Sequence, residues 1–347
     1  MLFAKPSGHV DLNEAEWDAT LHYLNGDLLQ SWRWGEFKRR QGWTVARLRC
    51  DGTDGAAMAL VLLRRRGPVS VAYLPRGPVI AERDTDASEL LARIDETSAR
   101  FRALVMFVEP DRPLPPGWLN DEGKFARGPE AFQTSRTVKA PLGDDAVLLA
   151  QMRRDTRYNV RHAQRRGVRV EHATGTTSEI KAFYRLLQET SWRNGFGIHA
   201  YDYYEDFLRV FEDQANLLFS CVDGVPTAAL ISARCGPEAR SMYAGSATSH
   251  RARGDAALLY FEAMRWARAH GCTHYDLGGI AAESPPTESG HDGGSGDRRD
   301  ANLEGVHQFK VGFGGEIITY PATVERRYRP AIAWLARRLY PRLRTAR

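Results

Sequence analysis

The hydrophobic positions of this chain repeat one order of patterns twice. In each copy, three runs rich in apolar residues are separated by tight turns, the first of which contains Asp-Gly. Such runs predict three successive β-strands. A segment with apolar residues at helical spacing follows, and then one more apolar strand. The three segments cover residues 43–79, 87–103 and 104–110 in the first copy and 216–248, 254–271 and 273–279 in the second.

The two copies keep a nearly constant spacing. Aligning Tyr73 with Tyr243 gives an offset of 170 residues, and the strands after the helices keep nearly the same offset, which indicates an internal duplication. Helical patterns at 178–195 and 201–214 precede the second copy. Helices before and after three antiparallel strands resemble the layout of GNAT-type acyltransferases. We therefore predict a mixed α/β (α+β) fold of two tandem GNAT-like domains with mixed, largely antiparallel sheets.

The predicted domains cover residues 1–145 and 146–330, followed by a basic C-terminal helix over 331–347. No sustained heptads occur between 205 and 260, so no coiled-coil arm is expected. The segment 283–302 is rich in glycine, serine and proline and predicts a flexible loop within the second domain.

Composition narrows the possible chemistry. The four cysteines have neither disulfide nor metal-ligand spacing, which predicts buried thiols in a reducing, cytoplasmic setting, and no apolar run is long enough to cross a bilayer. There is no G-x-S-x-G, H-E-x-x-H or Walker A motif. We therefore expect no metal and no cofactor, and catalysis that depends on positioning and electrostatics. A monomer is the default expectation.

The densest basic run lies at 153–170. Its arginines recur at intervals of three and four residues, so they share one helical face, and Asp155 is the only acid within the run. An arginine face without acidic neighbours indicates a polyanion such as RNA, so a non-enzymatic RNA-binding module is one hypothesis. The expected RNA contacts are Arg153, Arg154, Arg157, Arg161 and Arg165. The basic segment 325–347 could contact RNA or an anionic membrane surface, or pack on the domain.

A second motif indicates a binding site for acyl-CoA. The segment 251–256 matches R-x-x-G-x-A, the acyl-CoA pyrophosphate loop of GNAT enzymes, because Arg251, Gly254 and Ala256 precede a predicted helix. An acyl-CoA-dependent N-acyltransferase is therefore an alternative.

Lys310 stands out in HQFKVGFGGE (307–316). It is one of six lysines among 48 basic residues, and a compact ammonium is not equivalent to a guanidinium. The glycines are not in P-loop order, and we interpret them as allowing backbone and a bulky substrate to approach closely. The alternative is that Lys310 has no functional role and is a surface lysine on a strand-turn.

Several stretches together resemble the Fem family of tRNA-dependent peptidyl aminoacyltransferases. They follow one another in order over most of the chain: QSWRWGEFKRRQGW (30–43), YLPRGPV (73–79), RYNVRHAQRRGV (157–168), TSWRNGFGIHAYDYY (190–204), MYAGS (242–246), LLYFEAMRWARAHGCTHYDLGG (258–279) and VHQFKVGFGGE (306–316). The resemblance implies two GNAT-like domains, the first for the acceptor and the second for aminoacyl-tRNA. It also implies transfer of an amino acid to the stem-peptide amine of a UDP-linked or lipid-linked peptidoglycan precursor.

The resemblance also implies residue roles. Lys310 would stabilise the developing oxyanion as a protonated cation, with Tyr243 as the second catalytic residue. The expected substrate-binding residues are Trp34, Lys38, Tyr73, Arg76, Glu109, Arg193, His199, Tyr203, Tyr204 and Phe309. His199 stands where many members carry arginine, which weakens an anion contact there. A tRNA-dependent enzyme acting on a peptide natural product or a lipid head group remains an alternative.

Overall fold

The computed structural model describes residues 13–52, 55–81, 87–119, 124–129, 132–249, 254–280 and 296–329, with the backbone alone for 296–303. They form two compact units. The first unit contains the described residues of 13–129 and 321–329, and the second contains those of 132–320. Predictions for 283–295, for Arg251 and for a helix over 331–347 lie outside the described residues.

The first unit is one mixed sheet with helices packed on it. Its elements are α1 (Glu14–Tyr23), α2 (Trp32–Arg40), β1 (Thr44–Gly52), β2 (Gly55–Arg66), β3 (Val69–Pro75), β4 (Val79–Ile80), α3 (Ser88–Arg100), β5 (Ala103–Glu109), α4 (Pro116–Leu119), β6 (Phe125–Arg127) and β14 (Val324–Arg327). The sheet order is β1-β2-β3-β5-β14-β6, with β4 beside β2. Among the strands that the structure describes in this unit, only β3 and β5 run parallel. One face forms a core against α3, in which Leu90 and Ile94 are fully buried.

The second unit repeats this plan around a longer sheet. Its elements are β7 (Arg136–Pro141), α5 (Asp145–Gln151), α6 (Arg154–Arg165), β8 (Arg169–Ala173), α7 (Thr177–Asn194), α8 (Tyr201–Phe211), β9 (Ala215–Val222), β10 (Val225–Cys235), β11 (Glu238–Ser246), α9 (Asp255–Ala269), β12 (His274–Gly279), α10 (Gly296–Val311) and β13 (Glu316–Thr319). The sheet order is β13-β7-β12-β11-β10-β9-β8, in which only β11 and β12 run parallel.

Local sequence explains why the helices of the second unit begin and end where they do. Thr176 and Glu179 form a capping box at the start of α7, and Gly195 ends that helix in the left-handed conformation. Helix α9 is apolar on nearly all sides because it packs between the sheet and other helices, and ten of its fifteen residues are buried.

The predicted fold is confirmed, including both copies of three strands, a helix and a strand. The sheets divide the chain differently from the expected boundaries at 145 and 330, because β7 pairs with β12 in the second sheet and β14 pairs with β5 in the first. No coiled-coil arm occurs among the described residues of the second unit. No helix within the described ranges has both the length and the apolar character required to cross a membrane.

One local prediction is wrong, and so is the alternative that placed Lys310 on a strand-turn. Residues 296–302 are helical and not a loop, because α10 begins at Gly296. Lys310 therefore lies in the last turn of a helix and not on a strand-turn. The many polar residues of this segment suggested a loop, but polarity alone does not prevent a helix when no proline interrupts it.

Candidate active site

The parallel strands β11 and β12 of the second unit separate after three paired positions. Their pairing ends at Arg240 and Asp276, although β11 continues to Ser246 and β12 to Gly279. In the described residues no further pairing joins the two strands. An opening between parallel strands exposes backbone groups that would otherwise be paired, so it provides polar groups for a bound molecule.

Lys310 reaches this opening from the end of α10. Its Nζ donates a hydrogen bond of 2.8 Å to the carbonyl oxygen of Gly279. A Cβ placed on Gly278 would lie 3.2 Å from both Lys310 Nζ and Ser241 O, so the ammonium head is beside both strands. Ser241 lies two positions before Tyr243 on β11. Burial lowers the pKa of Lys310 from 10.5 to about 8, against the opposing charge of Asp276.

Sequence reasoning did not identify Asp276, which organises the turn that Lys310 contacts. The buried carboxylate accepts hydrogen bonds from Arg240 Nε at 2.8 Å, from the Gly278 N–H at 2.8 Å and from the Thr137 hydroxyl. These partners come from β11, β12 and β7, so one side chain joins three neighbouring strands. The sequence pattern that could have identified Asp276 is an aspartate two residues before a Gly-Gly pair at the end of a predicted strand.

The glycines after Lys310 serve the protein's own packing. A Cβ on Gly312 would lie 2.2 Å from Thr156 Oγ1, one on Gly314 2.6 Å from Gln151 O and one on Gly315 2.3 Å from Lys139 O. The close approach of backbone that was expected at these glycines is confirmed at Gly314 and Gly315, and the protein's own atoms occupy the space expected for a substrate. They bring the end of α10 against α6, the end of α5 and β7, which fixes the direction of the helix that carries Lys310.

Phe309 has a similar role. Its ring packs edge-to-face on Tyr260 and Phe313, with centroids 5.3 Å apart in each case, and it borders the core of the second unit. These contacts set the rotation of the last turn of α10, so Phe309 supports Lys310 from the side of the core.

Tyr243 belongs to an aromatic cluster beside the opening. Its hydroxyl donates to the Tyr203 hydroxyl at 3.3 Å, and its ring packs edge-to-face on Tyr204 with centroids 5.1 Å apart. Burial raises the pKa of Tyr243 well above its ordinary value, so this phenol stays protonated. His199 stacks on Tyr203 with centroids 3.7 Å apart. The structure therefore brings four of the predicted site residues together.

Arg193 is held by the protein itself. Its guanidinium donates to Ser246 O at 3.1 Å, to Ser246 Oγ at 2.9 Å and to Thr248 Oγ1 at 3.1 Å. These bonds fix the end of α7 to the end of β11. The geometry gives Arg193 a role in positioning the aromatic cluster.

The predicted arginine face is present on α6. Arg154, Arg161 and Arg165 are exposed, and none forms an ion pair with another described residue. Arg157 donates to the carbonyl oxygen of Leu149 at 3.2 Å, which satisfies the end of α5. Arg153 donates to Gln308 Oε1 at 3.0 Å and therefore contacts the helix of Lys310. The basic face thus begins directly beside α10.

The first unit contains a separate set of predicted residues. Lys38 Nζ lies 4.5 Å from the centre of the buried Trp34 ring, in a cation–π arrangement. Tyr73 donates a hydrogen bond of 2.9 Å to the buried Glu109 carboxylate. Arg76 is also buried, with a positive φ of 50° directly after β3. Buried charged groups at the ends of the parallel strands are typical of ligand sites in sheets.

The start of α9 does not favour the acyl-CoA alternative. A Cβ on Gly254 would lie 2.2 Å from Asn159 O, so α6 already fills the space beside this turn. The Ala256 N–H donates to the Asp255 carboxylate at 2.7 Å. An oxygen-rich environment at this helix start would repel a pyrophosphate. Within the described ranges, no group of His, Cys, Asp or Glu side chains could hold a metal ion.

Comparison with known proteins decides the family. A model of the FemAB family matches residues 139–225 and 222–340, which together are more than half of the chain. The chain belongs to the FemAB family. The curated lipid II:glycine glycyltransferase of Staphylococcus aureus is 28% identical over 209 residues, which are 55% of this chain and 49% of that protein. The chain thus spans about half the length of the curated relatives it matches.

Solved structures of this family's fold cover nearly the whole chain. The crystal structure of FemX superposes with a TM-score of 0.79 at 20% identity, over 94% of this chain and 98% of that one. The structure of L-PGS from Bacillus licheniformis has a TM-score of 0.54 at 14% identity, over 94% and 96%. At these identities the likeness shows the fold alone.

Proposed function

We propose that this FemAB protein transfers an amino acid from aminoacyl-tRNA to the stem-peptide amine of a peptidoglycan precursor, as an interpeptide-bridge aminoacyltransferase. The observation that carries the proposal is the Lys310 ammonium at the opening between β11 and β12, 2.8 Å from Gly279 O. The name of the glycyltransferase relative supplies the substrate class. The reaction would take place in the cytoplasm, where charged tRNA is present.

The reaction needs no covalent enzyme intermediate. The neutral acceptor amine attacks the ester carbonyl of the charged tRNA, a C–N bond forms, and the ester C–O bond breaks. One proton passes from the attacking nitrogen to the leaving ribose oxygen. Lys310 stabilises the negative charge that develops on the carbonyl oxygen, and one well-placed donor of this kind contributes roughly 2.7–4 kcal/mol. Tyr243 stays protonated and can donate a hydrogen bond in the same region.

Each unit would bind one substrate. The exposed arginines Arg154, Arg161 and Arg165 would contact the phosphates of the tRNA. Arg153 would place the aminoacylated end of the tRNA beside α10. In the first unit, Lys38, Arg76 and the Tyr73–Glu109 pair would hold the precursor. His199 and Tyr203, in the second unit, would contact the reacting end of a bound substrate.

The pH dependence distinguishes an oxyanion-stabilising cation from a base. The pKa of Lys310 is about 8, so most of its population is charged at pH 7. If the cation is the active form, transfer at saturating substrate falls as the pH rises through 8. If Lys310 acted as a base instead, transfer would rise as the pH rises through 8.

The function is tested by incubating the purified protein with charged tRNAs and either a UDP-linked or a lipid-linked precursor. We expect labelled amino acid to appear on the precursor, and RNase treatment of the donor to abolish this transfer. Acetyl-CoA should neither bind nor replace the tRNA. No RNase-sensitive transfer to either precursor would reject the proposal.

A further inference from the structure

Helix α7 has two contrasting faces. One face, with Ile180, Phe183 and Leu187, is buried against the second sheet. The opposite face carries Lys181, Arg185, Gln188 and Trp192, which follow one another at intervals of four, three and four residues. Phe196 follows directly after the helix. We call Lys181, Arg185, Gln188, Trp192 and Phe196 the outer face of α7.

The aromatic end of this face is exposed to an unusual degree. Trp192 is 80% exposed and Phe196 is 40% exposed. A single exposed apolar residue, such as Tyr23 on α1 at 81%, needs no explanation. Trp192 and Phe196 follow Lys181 and Arg185 along the chain, so two exposed aromatic residues come after two exposed cations. Tryptophan is the residue most typical of membrane–water interfaces, because its ring is apolar and its N–H is polar.

Within the described part of the chain, no acidic side chain pairs with the charged end of this face. Lys181 and Arg185 are both exposed, and neither forms an ion pair with a described residue. Two acids belong to α7. Glu179 accepts a hydrogen bond of 2.8 Å from the Thr176 N–H in the capping box, and Glu189, four positions after Arg185, accepts one of 2.9 Å from the Thr248 N–H. The outer face of α7 therefore has a net positive charge, and anionic lipid head groups attract such residues.

We propose that the outer face of α7 is a docking surface for an anionic membrane, with Trp192 and Phe196 entering the head-group region and Lys181 and Arg185 contacting lipid phosphates. RNA is the less suitable occupant, because this face has only two cations whereas α6 carries a denser arginine face. The inference rests on the proposed function for its purpose. Arg193 ties the end of α7 to β11, so docking here would bring the Tyr243 cluster to the surface where a lipid-linked acceptor is found.

Binding is measured by co-sedimentation with vesicles of phosphatidylcholine alone and of phosphatidylcholine mixed with phosphatidylglycerol. We expect the full chain to bind only the mixed vesicles. Trp192→Ala should weaken binding roughly tenfold, and Lys181→Gln and Arg185→Gln roughly fivefold each. Trp192→Phe should retain part of the affinity. Tyr23→Ala, an equally exposed aromatic in the first unit, is the matched control and should bind like the wild type. Thermal melting confirms that each variant is folded.

Transfer assays separate this inference from the proposed function. Trp192→Ala should leave transfer to a UDP-linked precursor unchanged and lower transfer to a precursor embedded in vesicles. If the wild type transfers to neither precursor, the proposed function fails while the vesicle result still decides the docking surface. If the wild type does not bind mixed vesicles, if Trp192→Ala binds them like the wild type, or if the variants lose affinity for tRNA instead, the docking surface is rejected.

Discussion

The two units share a topology but differ where their parallel strands end. In the first unit, β3 and β5 stay paired through Pro75 and Glu109, the last residues of both strands. In the second unit, β11 and β12 separate after Arg240 and Asp276, and Lys310 enters the gap. The position equivalent to Gly278 in the first unit, at the offset of 170, is Val108, which is fully buried. One copy thus has parallel strands that are paired to their ends, and the other has an opening that Lys310 reaches.

The strongest test of this contrast removes the cation from the opening. Lys310→Met should lower the rate of transfer roughly 10²- to 10³-fold, because a developing oxyanion loses its charged donor. The same variant should be more stable at pH 7. The pKa of Lys310 is lower in the folded than in the unfolded protein, so the buried ammonium destabilises the fold. This destabilisation is complete below pH 8 and disappears as the pH rises from 8 to 10.5.

The free energy of unfolding should rise by up to about 3 kcal/mol, reduced by the contribution of the hydrogen bond to Gly279 that the variant loses. Transfer rates and urea unfolding at pH 7 and pH 10 measure both effects, and the gain should be smaller at pH 10. Lys310→Met with normal transfer would mean that the opening in the second unit is not the reaction site.

The next test concerns the carboxylate beneath the opening. Asp276→Asn keeps the shape of the side chain but removes the charge that raises the pKa of Lys310. Transfer should fall roughly tenfold through misplacement of the lysine, and the descending limb of its pH profile should move to lower pH. The control is Asp145→Asn, an exposed carboxylate on α5 whose loss should change neither quantity. A tenfold loss with an unmoved pH profile would restrict Asp276 to a structural role.

A smaller effect is expected from filling the turn at the end of β12. Gly278 has φ of +83°, and a Cβ there would crowd Lys310 Nζ. Gly271 has φ of +81° with open space around it. Gly278→Ala and Gly271→Ala should therefore lose similar stability, about 1–2 kcal/mol, but only Gly278→Ala should lower the rate of transfer, by a few-fold. Equal rates in the two variants would show that the turn does not position the lysine.

The smallest effect on the rate is expected in the first unit, where the parallel strands stay paired to their ends. Tyr73→Phe removes one donor to the buried Glu109 carboxylate and should cost about 1–3 kcal/mol of stability. If the first unit binds the precursor and takes no part in the reaction, as proposed, this variant should raise the KM for the precursor a few-fold and leave kcat unchanged. Steady-state kinetics with a varied precursor decide this. A loss of kcat comparable to that of Lys310→Met would remove the distinction between the units.

The sequence allowed the repeated elements to be predicted, because apolar periodicity is local. Lys310 stood out because lysine is rare in this chain, and its role stays a prediction. The sequence did not allow Asp276 to be recognised. Its partners Arg240 and Thr137 are 36 and 139 positions away, and only the sheet brings them together. The domain boundaries were missed for a related reason. Strands β7 and β14 are only six and four residues long, and their place depends on hydrogen bonds to distant strands.

Strand β14 has a consequence for biosynthesis. It lies between β5 and β6 in the first sheet, yet it follows the whole second unit in the chain. When the ribosome has produced the first 130 residues, β5 still has an open edge and β6 has no partner among the described strands made by then. The first sheet is therefore completed only after almost two hundred more residues have been made. An N-terminal fragment ending near residue 130 would keep an exposed sheet edge and would be prone to aggregation.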